Sequence, residues 1–426
     1  MYRLKSHLHR LLRWSERYTK TDMVYLARGG FWSAVGQTSA ILTTLALALV
    51  VGRFLPKEIY GEYKYIVSIV ALLSTFSLTG LGQAVFQSVT RGFDGALEEG
   101  FWVNLRWSIG IFLGALALAL YYFAVHNTTL ALGILIGGSL SPLLTSANLS
   151  SAFLGAKKDF ARQAIYFDII ENLIPVTALI ATIFILPNTL TIVAVYFISN
   201  TLVTLWLYRR TIRVYKPDTR QADSGTLTYA KHLSLMGIFS GIASNIDQIL
   251  LFHFTGAAPV GVYNFATAVP DQAKGPLKTL DTMTQARFAA REATDIHASI
   301  HNKMFWIFVS TALGVIIYLA AAPYLFALLF PRYVEAVSYS QIYALSLFAA
   351  TVSPAASYLS VKKKVKHLYV NTIVSALLQI VLLTLGVIVS GLLGLIIARV
   401  LIRLGGALVT LVLYYHAIRS DTLASV

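Results

Sequence analysis

A chain of 426 residues that is 57% hydrophobic and only 12% charged is neither an ordinary soluble domain nor a disordered segment, since soluble domains carry roughly a quarter charged residues and disorder needs low hydrophobicity. So large an apolar surplus calls for a bilayer. The formal charge of +15, from 34 Lys and Arg against 19 Asp and Glu, would suggest nucleic acid in a soluble protein, but in a membrane protein charges set topology first. The absence of cysteine excludes disulfides, thiol nucleophiles and Cys-ligated metals, and the nine histidines show no zinc spacing.

Residues 1–30 form a basic N-terminal segment. Tyr2–Lys20 places Leu4, Leu8, Leu11 and Leu12 on one face with Arg, Lys and His around the rest, which reads as an in-plane amphipathic helix on anionic lipid. A solvated basic tail serving orientation alone fits equally well. It is not a cleavable signal peptide, because its first apolar run follows a long basic stretch and, at about 22 residues, exceeds a signal h-region.

Twelve apolar segments of bilayer length follow, at about 31–52, 64–86, 105–125, 130–153, 164–186, 190–208, 232–254, 262–285, 304–324, 341–361, 369–390 and 392–415. With both termini in the cytoplasm, 26 of the 34 basic residues fall on the inner side. Four (Arg53, Lys57, Lys64 and Arg332) fall in outer loops, and four lie inside spans. That bias fixes the orientation and absorbs most of the positive charge, so no nucleic-acid partner is implied.

The longest cytoplasmic linker, 209–231, has six spans on each side, giving lobes over 31–208 and 232–415 and a cytoplasmic tail over 416–426. The lobes share a motif: Phe54, Gly61, Tyr63 and Tyr65 recur as Phe254, Gly261, Tyr263 and Phe265, offset by 200 residues. Both copies have the same sidedness, so the repeat is parallel. The expected fold is an all-α polytopic membrane protein, twelve transmembrane helices in two six-helix lobes around a central cavity, the arrangement of an alternating-access transporter.

Three stretches carry a resemblance. They are Gly52-Arg53-Phe54-Leu55-Pro56-Lys57-Glu58-Ile59-Tyr60-Gly61-Glu62-Tyr63, then Asp247-Gln248-Ile249-Leu250-Leu251 with Gly261-Val262-Tyr263, and Leu329-Phe330-Pro331-Arg332-Tyr333-Val334-Glu335-Ala336. In these the chain resembles the oligosaccharide flippases (O-antigen and capsular polysaccharide) of the multidrug/oligosaccharidyl-lipid/polysaccharide exporter (MOP) superfamily. The resemblance extends over nearly the whole chain. It implies export of a polyprenyl-pyrophosphate-linked oligosaccharide across the bacterial inner membrane. It also implies contact with membrane lipids, and with a glycan polymerase and other polysaccharide-assembly proteins. The long basic segment before the first span departs from the family pattern.

Nine ionisable residues lie inside spans, where each costs about 2.5–3.5 kcal/mol on insertion scales. In the eighth span Asp271, Lys274, Lys278 and Asp281 fall on one helical stripe with Gln285, and Pro270 and Pro276 predict a kink. Arg399 and Arg403 stand one turn apart in the twelfth span, Arg403 about 17 Å from the outer end at Leu392. Lys274, Lys278, Arg399 and Arg403 together suit a pyrophosphate that must cross the midplane. The alternative is that they pair with Asp271, Asp281 or Asp247 and hold the lobe together. On the fifth span Asp168 and Glu171 share a face with Asn172, an arrangement suited to H⁺ or to Na⁺, and Asp247, on a face with Ser240 and Ser244, is the other coupling candidate. Local hydrogen bonding explains these acids as well. Gln83 and Gln87, one turn apart, and the stripe Asn371, Ser375 and Gln379 offer amides to sugar hydroxyls, although interhelical bonds are the commoner use of such groups.

No catalytic residue, metal site or bound cofactor is expected, and the chain is not read as an enzyme. A membrane glycan polymerase or ligase is disfavoured because the longest outer loop is only about sixteen residues. A cation-coupled multidrug exporter should favour acidic central positions, whereas these are basic; a lipid II flippase shares the basic site and stays open. A scaffold has little reason to retain an expensive polar stripe.

Overall fold

The structure is a computed structural model and describes residues 23–218, 225–272, 293–361 and 365–423. Among these every regular element is helical. The first six helices are α1 (Met23–Phe54), α2 (Lys57–Ser74), α3 (Leu81–Thr90), α4 (Ala96–Trp107), α5 (Ile109–Ala124) and α6 (Thr128–Ala147). They are followed by α7 (Leu149–Ala156), α8 (Phe160–Ile185), α9 (Thr189–Tyr215), α10 (Thr226–Thr255) and α11 (Ala257–Gln272). The last four are α12 (Ala293–Leu329), α13 (Ala336–Ala344), α14 (Ser353–Val361) and α15 (Val365–Leu423).

Local chemistry explains the boundaries. Asn127 and Asn188 cap α6 and α9, their side-chain oxygens accepting the free amides of Leu130 and Thr191. At the far end of α9 the chain leaves through Lys216 in the left-handed region (φ 45°), with its amide on the Ile212 carbonyl. Pro142 sits inside α6, and the Ser146 hydroxyl donates to its carbonyl at 2.7 Å, one way in which a membrane helix keeps its backbone satisfied near proline.

Eight of the described helices are long and apolar enough to cross a bilayer, nine if the pair Thr226–Leu235 and Gly237–Thr255, bent by 44°, is taken as one span. The expected count of twelve is not seen among the described residues. The second expected span is broken between Ser74 and Leu81, a break that hydropathy does not see, and the eighth lies partly outside the described residues. The last two meet in one long element across a non-helical break at Ser390–Gly391. Large side chains such as Leu113, Leu120, Ile317 and Leu385 are exposed on these helices, and only lipid covers so much apolar surface cheaply. The chain is a multi-pass, all-helical membrane protein.

Two compact units divide it: Met1–Val50 with Leu73–Leu235, and Val51–Leu72 with Met236–Val426. This differs from a cut at the central linker, because nearly all of α2 belongs with the second unit. In the first unit α6 packs on α5 and α9, and α8 on α9. Leu81, Val85, Leu97, Phe153 and Leu207 form its core. In the second unit α13 packs on α11, and α15 runs along α14.

The two copies of the repeated motif meet within the second unit. A Cβ on Gly61 would strike the carbonyl of Ala257, and a Cβ on Gly261 would come within 2.6 Å of the carbonyl oxygen of Lys57. Lys57 and Ala257 are themselves 200 residues apart. Each glycine therefore seats the first residue of the other's helix, a reciprocal contact that explains why the motif keeps glycine at that point. The third landmark closes on the same place. Tyr333 stacks on Phe265 with ring centres 4.0 Å apart, and its hydroxyl donates to the Leu55 carbonyl at 3.3 Å. Lys57 pairs with Glu335 at 2.6 Å, and Arg53 donates to the Leu328 carbonyl at 2.9 Å. The motifs that carry the family resemblance form one clasp.

Candidate functional site

The intramembrane charges of the second unit come from three helices and meet two hydroxyl groups from a fourth and the turn behind it. Asp247 lies on α10 and Asp271 near the end of α11. Tyr343 is on α13, Ser346 on the 3₁₀ turn Leu345–Val352 behind it, and Arg399 and Arg403 are on α15. They assemble as two rungs.

In the first rung Arg399 Nη2 lies 3.3 Å from Asp247 Oδ2. The same carboxylate oxygen accepts the Tyr263 hydroxyl at 2.5 Å, and Asp247 Oδ1 accepts the Gln248 amide at 3.0 Å. The two charged side chains are 16% and 5% exposed, so this pair is closed. Arg399 Nε is buried without an acceptor among the described residues.

In the second rung Arg403 Nη1 reaches Asp271 Oδ1 at 3.3 Å and donates to Ser346 Oγ at 2.9 Å. The Tyr343 hydroxyl donates to both Asp271 oxygens, at 3.1 and 3.2 Å. Its ring lies under the Arg403 guanidinium, 4.6 Å from ring centre to Cζ, a cation–π contact of the favoured kind. Here the side chains are 22% and 41% exposed, so this pair is open. Both arginines thus have acidic partners, as the pairing alternative requires, but only one pair is inaccessible. Lys274, Lys278 and Asp281, the rest of the expected stripe, lie outside the described residues, as does Gln285.

The expected coupling pair lies in the first unit. Asp168 falls in a π-helical stretch, Ala164–Ile170, inside α8, the kind of bulge that often accompanies functional positions. Pro175, one turn beyond Glu171, withholds the amide that would continue the ladder. The Asn172 amide donates to the Phe167 and Asp168 carbonyls at 3.1 and 3.0 Å, so it serves the bulge backbone. Glu171 accepts the Thr204 hydroxyl at 2.7 Å. Asp168 rests against Gly36 of α1, where an added Cβ would strike its carboxylate. Among the described residues no group of three or more acids or histidines could hold a metal ion.

Gln83 is exposed on α3, and Gln87 donates to the Tyr229 hydroxyl at 3.0 Å. Gln379 donates to the Ala243 carbonyl, an interhelical use of its amide. Tyr263, Tyr343, Ser346 and Thr204 were not among the expected site residues. Tyr263 stood in the repeated motif as a structural landmark. The other three were not singled out from the sequence, and their acidic or basic partners become visible only through the facing helices.

Solved membrane transporters share this all-helical fold. An inward-facing multidrug resistance MATE family transporter superposes with a TM-score of 0.63 at 14% identity, covering 91% of this chain and 96% of that one. The lipid II flippase MurJ, in an inward closed conformation, gives a TM-score of 0.68 at 12% identity, covering 89% and 86%. A MOP superfamily transporter from Pyrococcus furiosus, whose reversed binding-pocket polarity suggests a different function, gives 0.61 at 16%, covering 93% and 96%. No curated protein matches in sequence. The model of the polysaccharide biosynthesis protein family matches residues 26–270. The chain belongs to that family, and its fold is that of the MOP superfamily, in keeping with the resemblance to the oligosaccharide flippases.

Proposed function

We propose that the protein is a flippase that moves polyprenyl-pyrophosphate-linked oligosaccharide across the bacterial inner membrane by alternating access, with both termini in the cytoplasm. The observation that carries this reading is Arg403, about 17 Å along its expected span: a planar cation, partly exposed, whose only carboxylate contact among the described residues is long. Such a group suits phosphate oxygens. With Lys274, Lys278 and Arg399 it would neutralise the pyrophosphate while the lipid tail stays in the bilayer. Gln83 and Gln87 would meet sugar hydroxyls. The family match supports a polysaccharide substrate, and a lipid II flippase of the same fold supports a lipid-linked one.

On this reading the substrate moves without a covalent step, and the protein works as a transporter. The lobes would be reset by H⁺ or Na⁺ at Asp168 and Glu171. Asp247, closed between Arg399 and Tyr263, is the poorer coupling site. A glycan polymerase and other assembly proteins would consume the product, with membrane lipids surrounding the protein.

The test is export of surface glycan by Arg403→Ala and Lys274→Ala variants expressed at normal level. Both should fall well below wild type. Undiminished export in both would overturn the anion-clamp reading and favour the cation-coupled multidrug exporter; one neighbour of the same fold is a multidrug resistance transporter.

A further inference from the structure

The basic residues at the end of α9 differ from those on the neighbouring loops. Lys157 pairs with Asp94, and Arg162 with Asp159. Arg209, Arg210 and Arg213, in the last two turns of α9, are exposed and have no acidic partner among the described residues. Arg210 is nonetheless held in place. Its Nε donates to the Tyr166 hydroxyl of α8 at 2.9 Å, and its guanidinium lies over the Trp206 ring, 5.3 Å from the ring centre. Tyr166 is itself buried, so the post that holds the guanidinium is fixed by packing. A guanidinium carries five N–H donors, and the four on Nη1 and Nη2 meet no acceptor among the described residues. Orientation in the membrane needs a positive charge and nothing more. A pinned fork with its outer edge open is the arrangement that suits phosphate.

The rest of this face is apolar. At about 100° per residue, Ile198, Leu202, Trp206, Arg209, Arg210 and Arg213 fall within about a third of the helix circumference, and all six are exposed. From Ile198 to Arg210 the helix rises about 18 Å, which matches one leaflet, about 15 Å of hydrocarbon and the start of the headgroup layer. A free anion has no use for the apolar stretch, and a neutral lipid has none for three uncompensated cations. We propose that this stripe is a binding site for one anionic phospholipid. The phosphate lies on the Nη edge of Arg210, the glycerol region against Trp206, and an acyl chain along Leu202 and Ile198. Arg209 and Arg213 favour a headgroup of net negative charge. Tyr166 belongs to the π-helical stretch Ala164–Ile170, so an occupied site braces α8 at its irregular turn. The site does not depend on what the protein transports.

The experiment is native mass spectrometry of the full-length protein released from detergent micelles. It is titrated with dioleoyl phosphatidylglycerol or dioleoyl phosphatidylcholine, and the apparent affinity of the first bound lipid is read for each. Wild type should bind phosphatidylglycerol about tenfold more tightly than phosphatidylcholine. Arg210→Lys keeps the charge but not the fork, and should lose several-fold of that preference. Tyr166→Phe removes the acceptor of Nε and should lose part of it. Phosphatidylcholine binding that is unchanged across the set reports a folded protein; if Arg210→Lys does not fold, Trp206→Leu takes its place. Equal binding of the two lipids by wild type, or variants that match wild type, would overturn the site and leave the arginines to orientation alone. If undecaprenyl pyrophosphate displaces phosphatidylglycerol through Arg210 at a lower concentration than phosphatidylglycerol itself requires, the phospholipid is overturned as the occupant.

Discussion

Arg399 and Arg403 are alike in sequence, one turn apart on the same helix, and unlike in surroundings. The prediction for the closed rung is a stability effect. Asp247→Ala leaves a buried guanidinium without its carboxylate and should cost about 3–5 kcal/mol, read as a large fall in melting temperature. Asp271→Ala should cost far less, because its side chain is 41% exposed and its contact with Arg403 is long. Equal losses would contradict the distinction between the rungs. The charged members of the site were legible because a membrane makes every ionisable residue conspicuous. Their hydroxyl partners were not, since nothing in the local spacing of Tyr343 or Ser346 separates them from other residues of an apolar segment.

A second residue-scale prediction concerns pH. Asp159, just before α8, accepts the Tyr215 hydroxyl at 2.6 Å and the Arg162 guanidinium at 2.8 Å. Burial pushes its carboxyl up, but the Tyr215 hydroxyl, the Arg162 amide and the Arg162 charge outweigh this and hold it below its ordinary value of 3.8. A carboxyl depressed by folding contributes stability above its unfolded pKa, which is lost as pH falls through the folded one. Asp159→Asn should therefore lower the melting temperature at pH 7, and the gap to wild type should close as the pH falls through the lowered pKa of the folded carboxyl. A gap that persisted there would show that the contact is not electrostatic.

At the scale of elements, the reciprocal seating of Gly61 and Gly261 makes a specific demand. Gly61→Ala and Gly261→Ala should each destabilise by about 1–3 kcal/mol, the usual cost of overpacking. The double variant should lose less than the sum, since one inserted methyl already separates the two helix starts. Strict additivity in a thermal double-mutant cycle would refute the shared contact. The repeat itself was visible as a 200-residue offset, and the helices were visible as apolar runs. The breaks were not. The turn between Ser74 and Leu81, the bend near Leu235 and the reversal at Ser390–Gly391 fall within or beside segments whose average hydropathy is still that of a span. A window that averages side chains has no information on backbone direction. The π stretch in α8 was hidden for the same reason, although Pro175 and Asn172 mark it in retrospect.

At the scale of the whole molecule, the orientation can be checked directly, because a chain without cysteine needs no background removal before a single one is introduced. His126→Cys, in the turn between α5 and α6, should react with an impermeant maleimide in intact spheroplasts. Asp218→Cys, beyond the end of α9, should react only after the membrane is opened. The opposite pattern would invert the topology and with it the direction of transport.

The assignment of residues 51–72 to the second unit also has a consequence in time. A segment made near the start of synthesis finds its packing partners, Ala257, Phe265, Phe330 and Tyr333, only after about 200 to 280 further residues have been made. Contacts so distant in sequence form late. During that interval the segment must wait in the bilayer, held by lipid. If the gene is cut within the central linker and the two fragments are co-expressed, the C-terminal fragment should resist proteolysis only when its companion includes residues 51–72. The order in which the ribosome delivers the chain is thus not the order in which its second unit is completed, and its earliest segment is one of the last parts to be fastened.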